Sequence, residues 1–457
     1  MPMPSWSSGP STSSGSVLST RSTCRKWSAW ARRLACCGNG PRARCHPGPL
    51  LPAMCAHCPR SCWPWTRSRI PTGAVGQLRR RPPHESVRTS MPCVAVWPGG
   101  AEMTDSQRRP RVLHVAECFA AGVRTAMLEY IRSTPMIEHI VVGAYRGEPL
   151  PENPDGYRFI AMVDGQLARI RQVRELCRTI EPTVVHAHSS FAGLYVRVAS
   201  GRVPVVYTPH CFGFERTDLP HSARGALWAI ERVLALRTAE VAACSPREAQ
   251  LARRMVRNVT SVPNVGRFEG LDLKHSTRGS AGRVPKVTFM GRISAQKDPK
   301  FAAETVREFR ELHVGQVDFE WIGDGPQEAC AALKRAGIRV TGWLSGEQVT
   351  EELSGSSVYV HAAAWEGFPM AVLEASQLGL PIVARAIPAL NQMPRDYLGG
   401  DPETVAAIIA RAIASTGELN RCAARWSDAL AANTRDNQRD ALLAVYARAA
   451  GRNAQEA

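Results

Sequence analysis

The sequence lacks long apolar runs. No stretch of about 18 consecutive apolar residues, the length that a membrane-spanning helix needs, occurs in the chain. The amino terminus also lacks the charged-then-apolar order of a secretory signal. These two absences argue against a membrane-spanning or exported protein, and we expect the protein to lie in the cytoplasm.

The first hundred residues have almost no acidic side chains. Residues 1–102 contain 14 Lys and Arg residues against Glu85 and Glu102, so they carry +12 of the formal net charge of +17. The 43 basic and 38 acidic residues that remain leave only +5 on the rest of the chain. A high net charge suggests a nucleic-acid partner, but this uneven distribution argues against one.

The same segment lacks the sustained apolar period of a folded core. We interpret residues 1–105 as a disordered or non-native leader, translated from DNA upstream of the true start, and Met103 as the initiator. The alternative is a zinc site, because cysteine and histidine occur there at suitable spacing. Its ligands would come from Cys45, His46, Cys55, Cys58 and Cys62.

From Arg111 onward, short β-branched runs alternate with amphipathic helical stretches, which is typical of parallel βαβ units. The predicted fold class is α/β, with two doubly wound, Rossmann-like domains that face a cleft and a helical carboxyl-terminal tail. Ligands of such sheets bind beyond the carboxyl ends of the strands. The predicted boundaries are 106–265 for the first domain, 266–284 for a polar linker, 285–425 for the second domain, and 426–457 for the terminal helix and tail.

Three clusters in the second half follow predicted strands. Residues 291–298 (GRISAQKD) place Arg292 and Lys297 on one loop, where two cations can clamp a diphosphate. Residues 323–326 (GDGP) form a turn whose glycines allow a ligand to approach closely. Residues 366–374 (EGFPMAVLE) place a proline at the first helical position, so that the helix presents free N–H groups to an anion. Each cluster alone also fits a solvated loop, a tight turn or a surface glutamate.

In this order and at this spacing, the three clusters resemble family 4 of the retaining GT-B glycosyltransferases, over about residues 111–450. The resemblance implies an acceptor-side first domain and a second domain that binds a nucleotide sugar. It implies that Arg292 and Lys297 bind the donor diphosphate, that Glu374 binds the ribose, and that Glu366 is a catalytic residue facing the donor sugar or its phosphate. The sugar–phosphate pocket would be lined by Gly367, Phe368, Pro369 and Met370. The nucleobase would lie near Gly342, Trp343 and Leu344.

The first half supplies histidines at the ends of predicted strands. His210 resembles the family's histidine that contacts the transferred sugar, which makes it the second predicted catalytic residue. His188 is expected to project into the cleft from the acceptor-side loops, together with Gly122, whereas His186 is expected to face away from His188. The loop after the first strand departs from the family pattern, because paired glycines are usual there and Gly122 stands alone.

The resemblance predicts transfer of a sugar from a UDP- or GDP-sugar to a hydroxyl of a polysaccharide, lipid-linked or small-molecule acceptor, with retention. We expect no metal and no other cofactor, since two cations and a helix terminus would neutralise the diphosphate and no Asp-x-Asp triplet sits at a strand end. The alternatives are a sugar-nucleotide epimerase of the same fold and a non-catalytic nucleotide- or nucleic-acid-binding protein. The basic stretch 251–258 is either a solvated helix or a contact with an anionic surface, at the inner face of the plasma membrane.

Overall fold

A computed structural model gives the structure of the protein and describes residues 109–145, 156–270 and 284–456. The predicted leader, Met103 and the ligands of the zinc-site alternative lie outside these residues, as does most of the predicted linker. Within the described ranges, no helix combines the length and the apolar character needed to cross a membrane.

The first half of the chain forms a seven-stranded parallel sheet. Its strands are β1 (Arg111–Phe119), β2 (Glu138–Tyr145), β3 (Tyr157–Ala161), β4 (Val184–His188), β5 (Val205–Thr208), β6 (Glu240–Ala243) and β7 (Val259–Ser261). They lie in the spatial order β3-β2-β1-β4-β5-β6-β7. Between them come α1 (Ala121–Ser133), α2 (Gln166–Ile180), α3 (Ser190–Ala199), α4 (His221–Leu234) and α5 (Pro246–Ala252). Helices on both faces bury the strands, which explains their continuous apolar character.

The second half forms a six-stranded parallel sheet. Its strands are β8 (Lys286–Met290), β9 (Asp318–Ile322), β10 (Ile338–Val340), β11 (Val358–His361), β12 (Ile382–Arg385) and β13 (Leu398–Gly399), in the order β10-β9-β8-β11-β12-β13. Its helices are α6 (Pro299–Glu311), α7 (Gln327–Arg335), α8 (Gly346–Ser354), α9 (Met370–Gln377) and α10 (Pro402–Ile413). The chain ends in α11 (Thr416–Ala429) and α12 (Arg435–Glu456). The predicted fold class, including the helical tail, is confirmed.

The strand β3 is not predicted by the sequence pattern. It lies at the edge of the first sheet and pairs with β2 alone. None of its five residues is buried, so its sequence, YRFIA, shows neither the apolar run of a central strand nor a clean alternation. Edge strands have weaker burial and therefore leave a weaker pattern in the sequence.

Both sheets reverse their strand order near the centre, and this position fixes the site. In the first sheet β1 lies between β2 and β4, and in the second β8 lies between β9 and β11. A crevice opens at such a switch point beyond the carboxyl ends of the strands. The segments that leave β8 and β11 there are the predicted clusters around Lys297 and Glu366.

The terminal helix α12 returns to the first sheet and completes its core. Leu442, Val445 and Tyr446 are buried against apolar residues of β1, β4 and β5. Arg448 forms an ion pair with Glu240, which is 1% exposed, at 2.6 Å. The tail is therefore an integral part of the first half, a packing that the sequence pattern does not indicate.

Two connections between the halves lie side by side. The segment that follows β7 carries Asn264 and Glu269, and the turn before α12 carries Asn433. Nδ2 of Asn433 donates to the carbonyl oxygen of Asn264 at 2.9 Å, and Nη1 of Arg435 donates to that of Glu269 at 2.8 Å. Phe268, within the predicted polar linker, is buried in the core of the second half. The start of the predicted linker is therefore a packed segment.

Candidate active site

The loop of residues 291–298, which we call the cation loop, packs on the turn of residues 323–326, which we call the glycine turn. The N–H of Gly291 donates to the carbonyl of Ile322 at 2.9 Å. A Cβ atom on Gly323 would lie 2.3 Å from the carbonyl oxygen of Gly291, well inside van der Waals contact. Gly323 is therefore required by this contact between the two segments, whether or not a ligand binds there.

Lys297 reaches from the cation loop to Glu366, the first glutamate of residues 366–374, which we call the E-x7-E motif after its two glutamates, Glu366 and Glu374. Nζ of Lys297 lies 2.5 Å from Oε1 of Glu366, and the two side chains are 20% and 11% exposed. Gln296 holds the same segment, because its Nε2 donates to Oε2 of Glu366 at 3.2 Å and to the carbonyl of Trp365 at 3.1 Å. Two of the predicted clusters therefore meet at one largely buried ion pair.

Arg292 lies on the cation loop but does not share this contact. Its side chain is exposed and forms no ion pair with any residue that the structure describes. The neighbouring N–H of Ile293 donates to the carbonyl of Asp324 at 2.8 Å, which keeps this part of the loop beside the glycine turn. The structure thus brings Lys297, and not Arg292, into contact with the E-x7-E motif.

The E-x7-E motif continues into α9. Pro369 is the N-cap and the helix begins at Met370, one residue later than predicted. Glu374 is 6% exposed, and Nε of Arg267 lies 3.2 Å from its Oε1. Burial raises the pKa of Glu374 to about 6, and the positive charge of Arg267 opposes that rise. The second glutamate is therefore a buried carboxyl whose charge changes just below neutral pH.

The chain takes a strained conformation after β5. His210 and Cys211 have positive φ angles of 52° and 93°, a region that residues other than glycine rarely adopt. The N–H of Cys211 donates to Oε2 of the buried Glu248 at 2.8 Å. Glu248 is itself fixed in the first turn of α5, where its N–H donates to Oγ of Ser245 at 3.1 Å. A buried side chain thus holds the strained turn that carries His210.

Gly367 packs against this strained turn from the other half of the chain. A Cβ atom on Gly367 would lie 2.6 Å from the nitrogen of Cys211 and 2.7 Å from the carbonyl carbon of His210. A second close approach joins the two halves at α1, because a Cβ atom on Gly122 would lie 3.6 Å from Cγ of Met370. The two halves therefore meet at residues that the sequence predicts for the site.

The predicted nucleobase side adjoins the glycine turn. Gly342 forms a β-bridge with Gly323, and the side chain of Trp343 is 65% exposed. Leu344 instead packs against the core of the second half. Phe368 is buried, and its carbonyl accepts a hydrogen bond from Nδ2 of Asn264 at 3.3 Å. Trp343 is the member of this set that presents an open aromatic face.

Two predictions about the histidines of β4 are wrong. His188 is the last residue of β4 and is fully buried, so it does not line an acceptor-side loop. Its Nδ1 instead lies 3.1 Å from Nε2 of His210. His186 shares a face with His188, because side chains two residues apart in a strand point the same way, and their ring centroids are 4.1 Å apart.

Among the described residues, one group has the spacing of metal ligands. Its three buried histidines, His114, His186 and His188, offer nitrogen atoms within 4.8 Å of one another. Both ring nitrogens of each already lie within hydrogen-bond distance of a protein atom. The partners outside the group are His139, Thr208, His210 and Tyr446. These residues form a hydrogen-bonded network. The expectation that no metal is needed stays a prediction.

A cavity of about 310 Å³ opens beside Glu366. Residues from both halves line it, and it is rich in arginine and tryptophan: Arg224, Arg247, Arg254, Trp228 and Trp365. Arg247 is paired with Glu215 at 3.1 Å. Arg254 comes from the basic stretch 251–258 and is exposed. The cavity can therefore accept an anionic group next to the Lys297–Glu366 pair.

Comparison with known proteins assigns the chain to a family. A family described as glycosyl transferase 4-like domain matches residues 111–264, and one described as glycosyl transferases group 1 matches residues 284–415. The fold is similar to that of Anabaena HepE, solved in complex with UDP and glucose, with a TM-score of 0.57 and 16% identity over 74% of this chain and 99% of HepE. The chain is a GT-B glycosyltransferase.

The glycosyltransferase also has relatives of modest sequence identity. It is 23% identical to an uncharacterized 41.2 kDa protein in the cps region of Klebsiella pneumoniae, over 63% of this chain and 84% of the relative. It is 27% identical to the UDP-Gal:alpha-D-GlcNAc-diphosphoundecaprenol alpha-1,3-galactosyltransferase of Escherichia coli, over 48% of this chain. The match spans 61% of that enzyme's length. Sugar transfer is thereby confirmed as the activity, and nothing in these comparisons favours the epimerase alternative.

Several residues of the glycosyltransferase site are missed by sequence reasoning. Arg267 is missed because it lies in a polar stretch interpreted as a linker. Gln296 stands beside Lys297 but carries no charge that would draw attention. Glu248 could have been found from the helix start at Ser245 and Pro246. It stands three residues after the N-cap Ser245, and a glutamate at that position turns its carboxylate back toward the segment before the helix.

Proposed function

We propose that this glycosyltransferase moves a hexose, with retention at the anomeric carbon, from a UDP- or GDP-sugar to a hydroxyl of a phosphate-bearing glycolipid or glycan acceptor. One observation carries the proposal: Gly367, which directly follows the Glu366 that pairs with Lys297, packs against the strained turn of His210 where the two halves touch. We therefore assign a cation, a carboxylate, a helix terminus and a histidine to one site in the crevice.

For the donor, we assign the diphosphate to Lys297, Arg292 and the N–H groups at the start of α9. A helix terminus and two cations stabilise the negative charge that develops on a leaving diphosphate. This supports a reaction without a metal ion. Binding of the diphosphate would draw Lys297 from Glu366, which frees the Glu366 carboxylate to face the donor sugar.

For the nucleoside, we assign the ribose to Glu374 and the base to the exposed indole of Trp343. A carboxylate accepts hydrogen bonds from two vicinal hydroxyls, and Arg267 favours the ionised form of Glu374. The relation to HepE, which binds UDP, supports a uridine donor among the nucleotides to be tested.

For the acceptor, we assign the cavity beside Glu366. Arg224, Arg247 and Arg254 form a basic lining, and arginine binds phosphate oxygens through paired N–H groups. The galactosyltransferase relative acts on a GlcNAc linked to diphosphoundecaprenol, which supports an acceptor with a diphosphate and a role in polysaccharide biosynthesis.

A lipid-linked acceptor requires contact with a membrane surface, and α4 offers one beside the cavity. Trp228 and Val233 on α4 and Leu236 just after it are 44%, 65% and 78% exposed. Arg232 and Arg237, next to these residues in the sequence, are exposed, as are Arg253 and Arg257 after α5. Exposed apolar side chains with basic neighbours bind anionic bilayers, so we propose that the enzyme works peripherally on the inner face of the plasma membrane. Liposome flotation with and without anionic lipid tests this assignment.

In the reaction, the bond between the anomeric carbon and the diphosphate oxygen breaks as the sugar gains oxocarbenium character. The acceptor hydroxyl oxygen forms the new bond on the same face. Its proton passes to the departing diphosphate oxygen, so no enzyme nucleophile is needed. Lys297 and the start of α9 stabilise the leaving group, and His210 and Glu366 orient the sugar.

The proposal is tested by measuring nucleotide release from a panel of UDP- and GDP-sugars with synthetic polyprenyl-diphosphate-GlcNAc as acceptor. Lys297→Ala should lower kcat by at least about 100-fold, the scale of losing one charge-stabilising group. Lys300→Ala is the matched control, because Lys300 is 84% exposed and pairs only loosely with Glu304 at 3.8 Å. Equal rates in both variants would remove Lys297 from the diphosphate site, and release of free sugar without acceptor transfer would contradict the proposed reaction.

A further inference from the structure

Four histidines form a continuous hydrogen-bonded row across the first sheet and end at the strained turn. Nδ1 of His139 lies 3.0 Å from Nε2 of His114, and Nδ1 of His114 lies 3.0 Å from Nε2 of His188. Nδ1 of His188 lies 3.1 Å from Nε2 of His210. Each contact joins a δ nitrogen to the ε nitrogen of the next ring, so the row has a direction.

The strand register creates the row. Val112 pairs with His139, His114 pairs with His186, and His188 pairs with Thr208. Partners in adjacent parallel strands share a face, and side chains repeat every two residues. The histidines of three strands therefore point the same way, and His210, two residues beyond Thr208, continues the series toward the crevice.

The far end of the row determines which nitrogen of His139 carries a proton. Nε2 of His139 lies 3.0 Å from the carbonyl oxygen of Thr134, which can only accept. It also lies 3.1 Å from Oγ1 of Thr134, but that hydroxyl donates its proton to the carbonyl of Tyr130 at 2.7 Å. Both neighbours therefore accept, and His139 must carry its proton on Nε2.

Neutral imidazole has one proton, so this assignment propagates along the row. Nδ1 of His139 accepts and Nε2 of His114 donates. By the same reasoning Nε2 of His188 donates to His114, and Nε2 of His210 donates to His188. The rings stay neutral because burial lowers the pKa of each, that of His210 to about 4.

His186 agrees with this assignment independently. Its Nε2 lies 2.8 Å from Oγ1 of Thr208, and the Thr208 hydroxyl donates to the carbonyl of Ala242 at 2.8 Å. Nε2 of His186 must therefore donate as well, and its Nδ1 accepts from the hydroxyl of Tyr446 at 2.9 Å. No ring in the network needs a charge or the other tautomer.

We infer that the row His139–His114–His188 is a positioning device that holds His210 as the Nε2–H tautomer and presents its Nδ1 to the donor sugar as an acceptor. The inference rests on the proposed function, in which His210 contacts the transferred sugar. His210 is partly exposed, and its Nδ1 has no hydrogen-bond partner within the described residues. The site therefore favours a sugar that offers a hydroxyl proton at this position and disfavours a deoxy or fluoro analogue there.

Nitrogen NMR of protein labelled with ¹⁵N-histidine tests the inference directly, because a protonated and an unprotonated ring nitrogen resonate far apart. His210→Gln identifies the His210 signals. The expected result at neutral pH is a protonated Nε2 and an unprotonated Nδ1 in the four rings of the row and in His186. A signal from Nδ1–H of His210 overturns the inference, whatever the activity of the enzyme.

Two variants at the far end of the row test its effect on catalysis. His139→Phe removes the anchor, and we expect mixed tautomers at His210 with about a five- to tenfold loss of kcat, the scale of one hydrogen bond. His139→Gln keeps a donor toward Thr134 and an acceptor toward His114, so it should restore the single tautomer and the rate. The exposed His221→Ala is the control, and loss of rate with an unchanged His210 tautomer would refute the positioning role.

The same experiments separate failure of this inference from failure of the proposed function. If His210→Gln transfers sugar at the wild-type rate, His210 does not contact the sugar and the proposed function is wrong on that point. If His139→Phe does not fold, the tautomer in the unaltered enzyme still decides the inference, since that measurement needs no variant of the row.

Discussion

Replacing Gly367 by alanine tests whether the contact between the two halves is needed for turnover. The added Cβ would lie 2.6 Å from the nitrogen of Cys211 and 2.7 Å from the carbonyl carbon of His210. Both are backbone atoms, so neither can rotate away as the end of a flexible side chain would. The strained turn or the start of the E-x7-E motif must therefore shift.

The size of the effect follows from the cost of overpacking, which is about 1–3 kcal/mol for an added methyl group in a tight contact. The contact joins the halves at the position of His210, so we expect the cost to fall on the arrangement in which the sugar reacts. At about 1.4 kcal/mol for each factor of ten in rate, Gly367→Ala should lose about 5- to 150-fold in kcat/KM.

Initial rates of nucleotide release at varied donor concentration provide the measurement. Gly417→Ala is the matched control, because Gly417 lies on the exposed side of α11 and its added Cβ would have only Ser415 Oγ near it, at 3.8 Å. The reasoning fails if Gly367→Ala and Gly417→Ala have the same kcat/KM, because the backbone contact would then be unimportant for reaction.

The remaining predictions concern stability. In the folded protein the pKa of Glu374 is about 6, above the ordinary value of 4.5. The stability that the protonated Glu374 carboxyl contributes is therefore fully present below pH 4.5 and is lost as the pH rises through 6. The free energy of unfolding of the wild type relative to Glu374→Gln should therefore fall by about 2 kcal/mol from pH 4 to pH 7; urea titrations that show no such difference contradict the shift. Arg448→Ala should destabilise by about 2 kcal/mol, because it removes a charge-assisted hydrogen bond to the buried carboxylate of Glu240. Arg439→Ala on the same helix, where the charges are exposed, should cost less than about 1 kcal/mol in the same titration.

The order of strands and helices was predictable because parallel strands are buried on both faces and leave continuous apolar runs. The edge strands β3 and β13 were not predictable, since β3 has no buried residue and β13 has only two residues, so neither leaves such a run. The three clusters were predictable because each interrupts the pattern with glycine, proline or charge at the end of a strand. The contact of Lys297 with Glu366 was not, because it joins residues 69 positions apart in the sequence.

The histidine row shows a different limit. His188 lies two residues from His186 in HAH, and His210 follows the end of β5, so the face that His188 shares with His186 was available from the period of a strand. The register that brings His139, His114 and His188 into one line was not available, because it depends on how three strands are aligned. Short-range periodicity thus gives the direction of a side chain, whereas its neighbours come from the tertiary fold.

The two adjacent connections, at Asn264–Glu269 and Asn433–Arg435, have a consequence for recombination. The chain leaves the first half near residue 265 and returns to it near residue 433, so the second half is inserted within the first. Grafting a second half from another enzyme of this architecture would need two junctions, with the hydrogen bonds between them preserved. A hybrid made with a single junction near residue 265 would take α12 from the other enzyme. That foreign helix would pack against the first sheet, where Tyr446 forms a hydrogen bond with His186.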